Sequence, residues 1–205
     1  MEDNTVFSAF VTNLGKYNEG YLVGKWVEFP TTPEHMKEVL AEIGINEEYE
    51  EYFITDYESK VTGLTDSLGE YENLSVLNYL AHRVQEEVYD ISMFESILEY
   101  GEHIGSAEEL INLTYNLDRF YYMSDVENDY DLGYAWVYNM GIYDKELKEM
   151  GRLADYIDFE AYGRDIRIEE GGMFTDAGGY ISMSNDTFTE YFDSCEDEVP
   201  EEYRL

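Results

Sequence analysis

Net charge is the feature that most constrains what this chain can fold into. Its 205 residues hold 47 Asp and Glu against 12 Lys and Arg, a formal net charge of −35 at pH 7. The excess is not confined to a tail: residues 1–60, 61–120 and 121–205 carry net charges of −9, −10 and −16. Self-repulsion of this size works against compaction, so a fold must keep its carboxylates in water and close around enough apolar surface. The material is present. Apolar residues make up 44% of the chain and aromatics 16%, including 21 Tyr and 10 Phe, whereas disordered acidic chains are poor in aromatics. The segment NEEYEEYFITDYE, Asn46–Glu58, condenses the problem: it interleaves carboxylates and rings and has no Lys or Arg. Rings on the packed side of each element and acids on the wet side account for the tyrosines. They do not account for the missing bases, because solvated faces usually mix both signs.

The charge also sets expectations about partners. Nucleic acid and anionic membranes are repelled, so neither is expected as a direct partner. Basic surfaces are expected, above all those that normally hold nucleic acid. The single cysteine, Cys195, cannot form an internal disulfide, which fits a reducing compartment. The N-terminus MEDNTVFSAF has no basic n-region, and no apolar run reaches membrane-spanning length. These features predict a soluble, cytoplasmic protein.

Catalysis finds little support. His35, His82 and His103 are scattered, and none sits in a metal-ligand pattern. Cys195 has no neighbouring His. Gly171, Gly172, Gly178 and Gly179 read as turns and not as a phosphate loop. Glu127, Asp129 and Asp131 mimic the first, third and fifth positions of a calcium loop, but Leu132 stands where Gly is needed and Tyr138 where the bidentate Glu belongs. Acid pairs for glycoside hydrolysis are so numerous that no pair stands out. No catalytic, metal or cofactor residue is assigned.

The hydrophobic pattern predicts an α+β chain of three small domains. Residues 1–61 form the first: strands Phe7–Asn13, Tyr21–Phe29 and Tyr52–Tyr57, with a helix capped by Thr32, opened by Pro33 and ended by Gly44. Residues 62–118 read as a helical middle domain. Leu77, Leu80, Ala81, Val84 and Val88 share one helical face, Asp90–Tyr100 is a second helix, and Ser106 with Glu109 caps a third. Residues 119–192 form an α+β C-terminal domain. It has a short strand at Phe120–Ser124, a helix capped by Ser124 and Glu127 that runs to about Asn139, and a helical stretch from Asp144. A helical face of Leu153, Tyr156, Ile157 and Ala161 follows, then a hairpin over EEGGMFTDAGGYISM. Residues 193–205 read as a frayed acidic tail.

Set beside DNA, the charge becomes informative. A duplex presents about one charge per 1.7 Å, so 35 charges match roughly 60 Å, or about 18 base pairs. Acids three or four residues apart on a helix lie about 5–6 Å apart, comparable to neighbouring phosphates. The acids expected on such a surface are Glu47, Glu48, Glu50, Glu51, Asp56, Glu58, Glu86, Glu87, Glu108, Glu109, Asp125, Glu127, Asp129 and Asp131.

Three blocks carry a resemblance: FVTNLGKYNEGYLVGKWVEFP (Phe10–Pro30), INEEYEEYFITDYE (Ile45–Glu58) and LADYIDFEAYGRDI (Leu153–Ile166). Together they resemble the ArdA antirestriction proteins of conjugative elements and phages; the third is similar to that family's antirestriction motif. The resemblance implies an elongated, three-domain homodimer that mimics bent B-form DNA. It implies a non-enzyme, without cofactor, that occupies the DNA-binding core of type I restriction–modification enzymes and so protects incoming mobile-element or phage DNA. It further implies a role in activity and dimer contact for Tyr156, Ile157, Phe159, Ala161, Tyr162, Gly163, Arg164 and Asp165. Three other classes are weighed beside it. They are an acidic adaptor or chaperone for another basic protein, a carboxylate-dependent hydrolase, and adaptation to high salt, which predicts acids without these blocks.

Overall fold

The computed structural model describes residues 4–141, 143–193 and 196–205. Cys195, the subject of the disulfide and nucleophile readings, lies outside the described residues. The chain is mixed α+β, with helices and two three-stranded antiparallel sheets. Its residues group into two compact units. The first comprises residues 1–91, 102–116 and 189–205; the second comprises 92–101 and 117–188.

In the first unit, β1 (Phe7–Asn13) lies between β2 (Gly24–Phe29) and β3 (Tyr52–Ser59). Phe7, Ala9 and Val11 of β1 are buried and point to one face, as the two-residue period of a strand requires. Phe7 stacks on Phe29, its partner in the ladder, at 5.3 Å between ring centroids. α2 (Pro33–Glu42) begins as expected: Thr32 accepts a hydrogen bond from the His35 amide, and Pro33 occupies the first turn. It buries Met36 and Val39. α3 (Leu74–Glu87) is capped by Asn73 and buries Leu77, Leu80, Ala81 and Val84, four residues of the face anticipated from spacing; Val88, the fifth, is extended and half-buried just past the helix end. α5 (Ala107–Thr114) opens on Ser106, which accepts from the Glu109 amide, and packs on α3.

The second unit holds a sheet in the order β4 (Phe120–Met123), β6 (Tyr180–Met183), β5 (Met173–Phe174), with β5 and β6 forming the glycine-turned hairpin. α4 (Ile91–Tyr100) belongs to this unit from residue 92 onward, and its Ser96 hydroxyl bonds Thr175 of the hairpin at 2.8 Å. α6 (Asp129–Tyr134), continuing as a π turn over Ala135–Asn139, packs on α8 (Phe159–Glu170). Val126, Leu132, Ala135, Ile166 and Tyr180 make the core between them. α7 (Asp144–Met150) leads into a 3₁₀ turn, Gly151–Tyr156.

Four local expectations are corrected. β2 begins at Gly24, not Tyr21, and a short helix α1 (Leu14–Asn18) replaces the expected loop. Asn13 ends β1 by capping that helix through Lys16 N, so Tyr21 and Leu22 have no ladder partner and stay exposed. The helix after β4 is capped by Asn128, whose side chain accepts from Asp131 N at 3.0 Å, and not by Ser124. Leu153, Tyr156, Ile157 and Ala161 do not share a helical face. Ile157 is extended and Asp158 restarts the helix by capping Ala161 N, which leaves Leu153 67% and Tyr156 81% exposed. Finally, the described tail is docked. Phe192 and Val199 are buried, Asn78 donates to Tyr203 O at 2.9 Å, and Leu205 N donates to Ser75 at 3.1 Å.

That docking shows how the interior handles polarity. No described Asp or Glu is buried. Buried polar positions are taken instead by neutral amides, including Asn13, Asn78, Asn112 and Asn116. Asn112 donates to Phe192 O at 2.8 Å and accepts from Tyr191 N at 2.7 Å and Phe192 N at 3.0 Å. Asn116 holds Thr189 from both sides, donating to its carbonyl at 2.9 Å and accepting from its amide at 3.1 Å. An amide satisfies a strand-like segment with one donor and one acceptor and introduces no charge. Asn112→Asp should therefore destabilise the protein by about 3 kcal/mol at pH 7, since it buries a charge and sets an oxygen against the Phe192 carbonyl. Burial would raise this carboxyl above its unfolded value. The lost stability, relative to wild type at each pH, should be regained as pH falls below that raised value, when the protonated acid donates again. Urea melts at several pH values check this; an equal deficit at every pH would contradict it.

Candidate functional site

Two features qualify as sites: the acid surface, and the helix crossing that carries the third sequence block. The expected acids are all exposed or partly exposed, and several are held by hydrogen bonds or ion pairs. Glu47, Glu48, Glu50 and Glu51 lie in the loop before β3. There Asn46 shapes an Asx turn, accepting from Glu48 N at 2.8 Å and Tyr49 N at 3.2 Å. The Tyr49 hydroxyl donates to Glu19 at 3.0 Å, which raises its pKa. Asp56 and Glu58 stand exposed on β3, an edge strand, where charge discourages pairing with other chains. Glu86 accepts from the Tyr203 hydroxyl at 3.1 Å, and Glu87 pairs with Arg83 at 3.0 Å. Glu108 and Glu109 occupy the first turn of α5, where the helix dipole favours negative charge. All ten belong to the first unit.

Asp125, Glu127, Asp129 and Asp131 belong to the second unit, around the start of α6. Asp131 accepts from the Asn128 side chain at 2.6 Å. Asp129 has a different job. It takes a two-point bond from Arg167 of α8, at 2.8 Å and 3.2 Å, and this bond holds its carboxyl below the usual range. It ties α6 to α8, so the structure gives it a bracing role alongside its place on the surface. Among the described residues no three His, Cys, Asp or Glu side chains converge on a possible metal position. No described helix is long and apolar enough to cross a membrane.

The third block builds the crossing itself. Gly163 of α8 meets Gly133 of α6 backbone to backbone. A Cβ on Gly163 would lie 1.8 Å from Asp129 O, and one on Gly133 would lie 2.0 Å from Phe159 O. Gly163 lies in the interior of α8. Phe159, at the first turn of α8, sits among the rings of Tyr130, Tyr134 and Tyr138 at 5.6, 5.5 and 5.7 Å. Tyr162 bonds Tyr143 hydroxyl to hydroxyl at 2.7 Å; burial first, and this bond second, raise its pKa. Arg164 and Asp165 are exposed and only loosely paired, at 4.0 Å. Thus Phe159, Tyr162 and Gly163 come together in one packed crossing. Tyr156 and Leu153 stay outside it, and Ile157 is half-buried in the link between turns.

Sequence reading missed Gly133, Arg167 and the three tyrosines facing Phe159. The signal for them was the tyrosine spacing in DYDLGYAWVYN, Tyr130, Tyr134 and Tyr138 at four-residue steps, which is one helical face.

This fold and surface define an acidic α+β protein whose charge lies outside and whose motif segment forms a glycine-centred helix crossing. The model of the antirestriction protein (ArdA) family matches residues 9–182, and the chain belongs to that family. No curated protein matches it. The match takes in most of both sheets and the whole crossing, and it stops before the docked residues 189–193 and 196–205.

The glycine contact leads to a direct test. Gly163→Ala should force α6 and α8 apart and destabilise the second unit by about 3 kcal/mol. Near-UV circular dichroism of Trp136 and the surrounding tyrosines should weaken with it. An unchanged melt would show that the crossing tolerates a methyl group.

Proposed function

We propose that this antirestriction protein acts as a DNA mimic. It binds the DNA-binding core of a type I restriction–modification enzyme and excludes DNA from it, protecting incoming mobile-element or phage DNA in the cytoplasm. One observation carries the reading: in a chain of net charge −35, no described carboxylate is withdrawn from the surface. The second unit adds support, since its first-turn acids are fixed by caps and pairs rather than left to wave. On this reading the protein inhibits by occupancy and uses no cofactor or catalytic group.

The active species is a homodimer in this proposal. Isolated subunits repel, so apolar contact must supply the attraction. Phe159 is the weaker candidate for that contact, being enclosed by its own chain's tyrosines. Leu153 and Tyr156, in the turn that precedes α8, are among the most exposed apolar groups of the second unit. A buried side chain of this kind contributes about 1.5–3 kcal/mol. Tyr156→Ser with Leu153→Ser should shift the protein to monomer in analytical ultracentrifugation without lowering its melting temperature. Full dimerisation of that variant would remove this face from the interface.

Energetics should be distributed. Binding to a type I methyltransferase core should be displaced by duplex DNA. Glu47→Lys should weaken it about two- to fivefold, and reversal of Glu47, Glu48, Glu50 and Glu51 together about a hundredfold. Simultaneous binding of the protein and cognate DNA at one site would refute the mimic. Loss of all binding on one acid-to-alanine change in a folded variant would point to a discrete site instead.

A further inference from the structure

The second unit contains a cleft of about 660 Å³ that shares Tyr162 with the glycine crossing and none of the surface acids named above. One wall is α8, where Tyr162, Asp165 and Glu169 follow the spacing of a single helical face. The π turn contributes Trp136 to the lining, and Tyr143 adds a further ring. The hydroxyl bond between Tyr143 and Tyr162 fixes two of the rings in place. Glu170 reaches the cleft from the end of α8, accepting only long hydrogen bonds from Tyr180 at 3.5 Å and Ser182 at 3.4 Å. Among the described residues, no Lys, Arg or His lines the cleft. It has the size of a small-molecule site, and rings and carboxylates share its lining.

We propose that this cleft receives the guanidinium of an arginine presented by the protein's basic partner, stacked between Trp136, Tyr143 and Tyr162 and bonded by Asp165, Glu169 and Glu170. The inference rests on the reading that the partner is a basic, DNA-binding protein, and it assigns that partner an anchor residue. A guanidinium is planar and weakly hydrated, so it can lie on aromatic faces while its fork donates to two carboxylates. Lysine is a compact, strongly hydrated charge with no planar fork, so it stacks and bridges less well. Burial raises the Glu170 carboxyl above its ordinary range, a cost that an incoming cation would offset. Surface acids give long-range attraction and on-rate; a cleft of this kind adds a short-range contact of the sort that dominates protein interfaces.

The chain has two tryptophans, and Trp26→Phe in full-length protein leaves Trp136 as the sole reporter. Titration with N-acetyl-arginine methylamide at fixed ionic strength should give a saturable change in Trp136 emission. The lysine counterpart should bind at least about fivefold more weakly. Glu169→Gln with Glu170→Gln should weaken arginine binding roughly tenfold, with an unchanged circular dichroism spectrum; Asp165→Asn, on the exposed rim, provides the same comparison should that pair disturb folding. A linear, unsaturable response, equal binding of lysine, or indifference to the amide variants would overturn the proposal. The methyltransferase core should displace the probe, and joint binding of both would assign the cleft to a free small cation and overturn it too. Failure of the wider reading is distinguishable. Restriction left intact by a protein that binds the arginine probe counts against the mimic. Inhibition retained by a protein whose cleft ignores arginine counts against the cleft alone.

Discussion

Repulsion among 47 carboxylates, with 12 basic side chains to offset it, is the constraint on which the rest of the structure depends. It forces a strict division of labour. Among the described residues the carboxylates are kept out of the interior, aliphatic and aromatic groups fill it, and polar needs inside are met mainly by neutral groups, with Arg83 the buried base. Asn112 and Asn116 do in this chain what aspartates could do only at the cost of a buried charge. They hold segment 189–193 with donor and acceptor pairs, so the acidic C-terminal residues are docked on the first unit instead of trailing from it. The few basic residues are used sparingly. Arg83 lies buried over the Tyr115 ring at 3.7 Å and pairs with Glu87, and Arg167 braces two helices.

The same constraint explains the glycines at the crossing of α6 and α8. A helix start bearing Asp129, Asp131 and Glu127 would be pushed from a helix bearing Glu160, Asp165, Glu169 and Glu170 if side chains alone met. Backbone contact at Gly133 and Gly163 brings the axes close enough for dispersion and for the Asp129–Arg167 pair to win locally. The aromatic cover of tyrosines around Phe159 then shields that contact from water.

Local signals in the sequence were legible. β1, the Thr32–Pro33 start of α2, the α3 face and the β5–β6 hairpin follow from strand alternation, capping and helical spacing. Those are interactions between residues close in the chain. What stayed hidden needed partners far away. The Leu153–Ala161 stripe had helical spacing, but Asp158 is a better cap than a helix interior residue, and it broke the stripe in two. Ser124 and Glu127 matched a capping box, yet Asn128, four residues after Ser124, offers its side-chain oxygen to the Asp131 amide. The tail looked frayed because its anchors, Asn112, Asn116 and Asn78, sit some 70 or more positions earlier. The acid surface was legible in outline, since charge is a sum. The bracing role of Asp129 was not, because it depends on a single arginine 38 residues away.

If charge displayed at the surface is what the partner recognises, binding must respond to salt as DNA binding does. The most direct test is the affinity of the protein for a type I methyltransferase core, measured from 50 to 300 mM salt beside the same core's affinity for a duplex of about 18 base pairs. The account predicts two steep lines of similar slope in log affinity against log salt, each reporting the release of many ions. A shallow or flat line for the protein, against a steep one for the duplex, would contradict it.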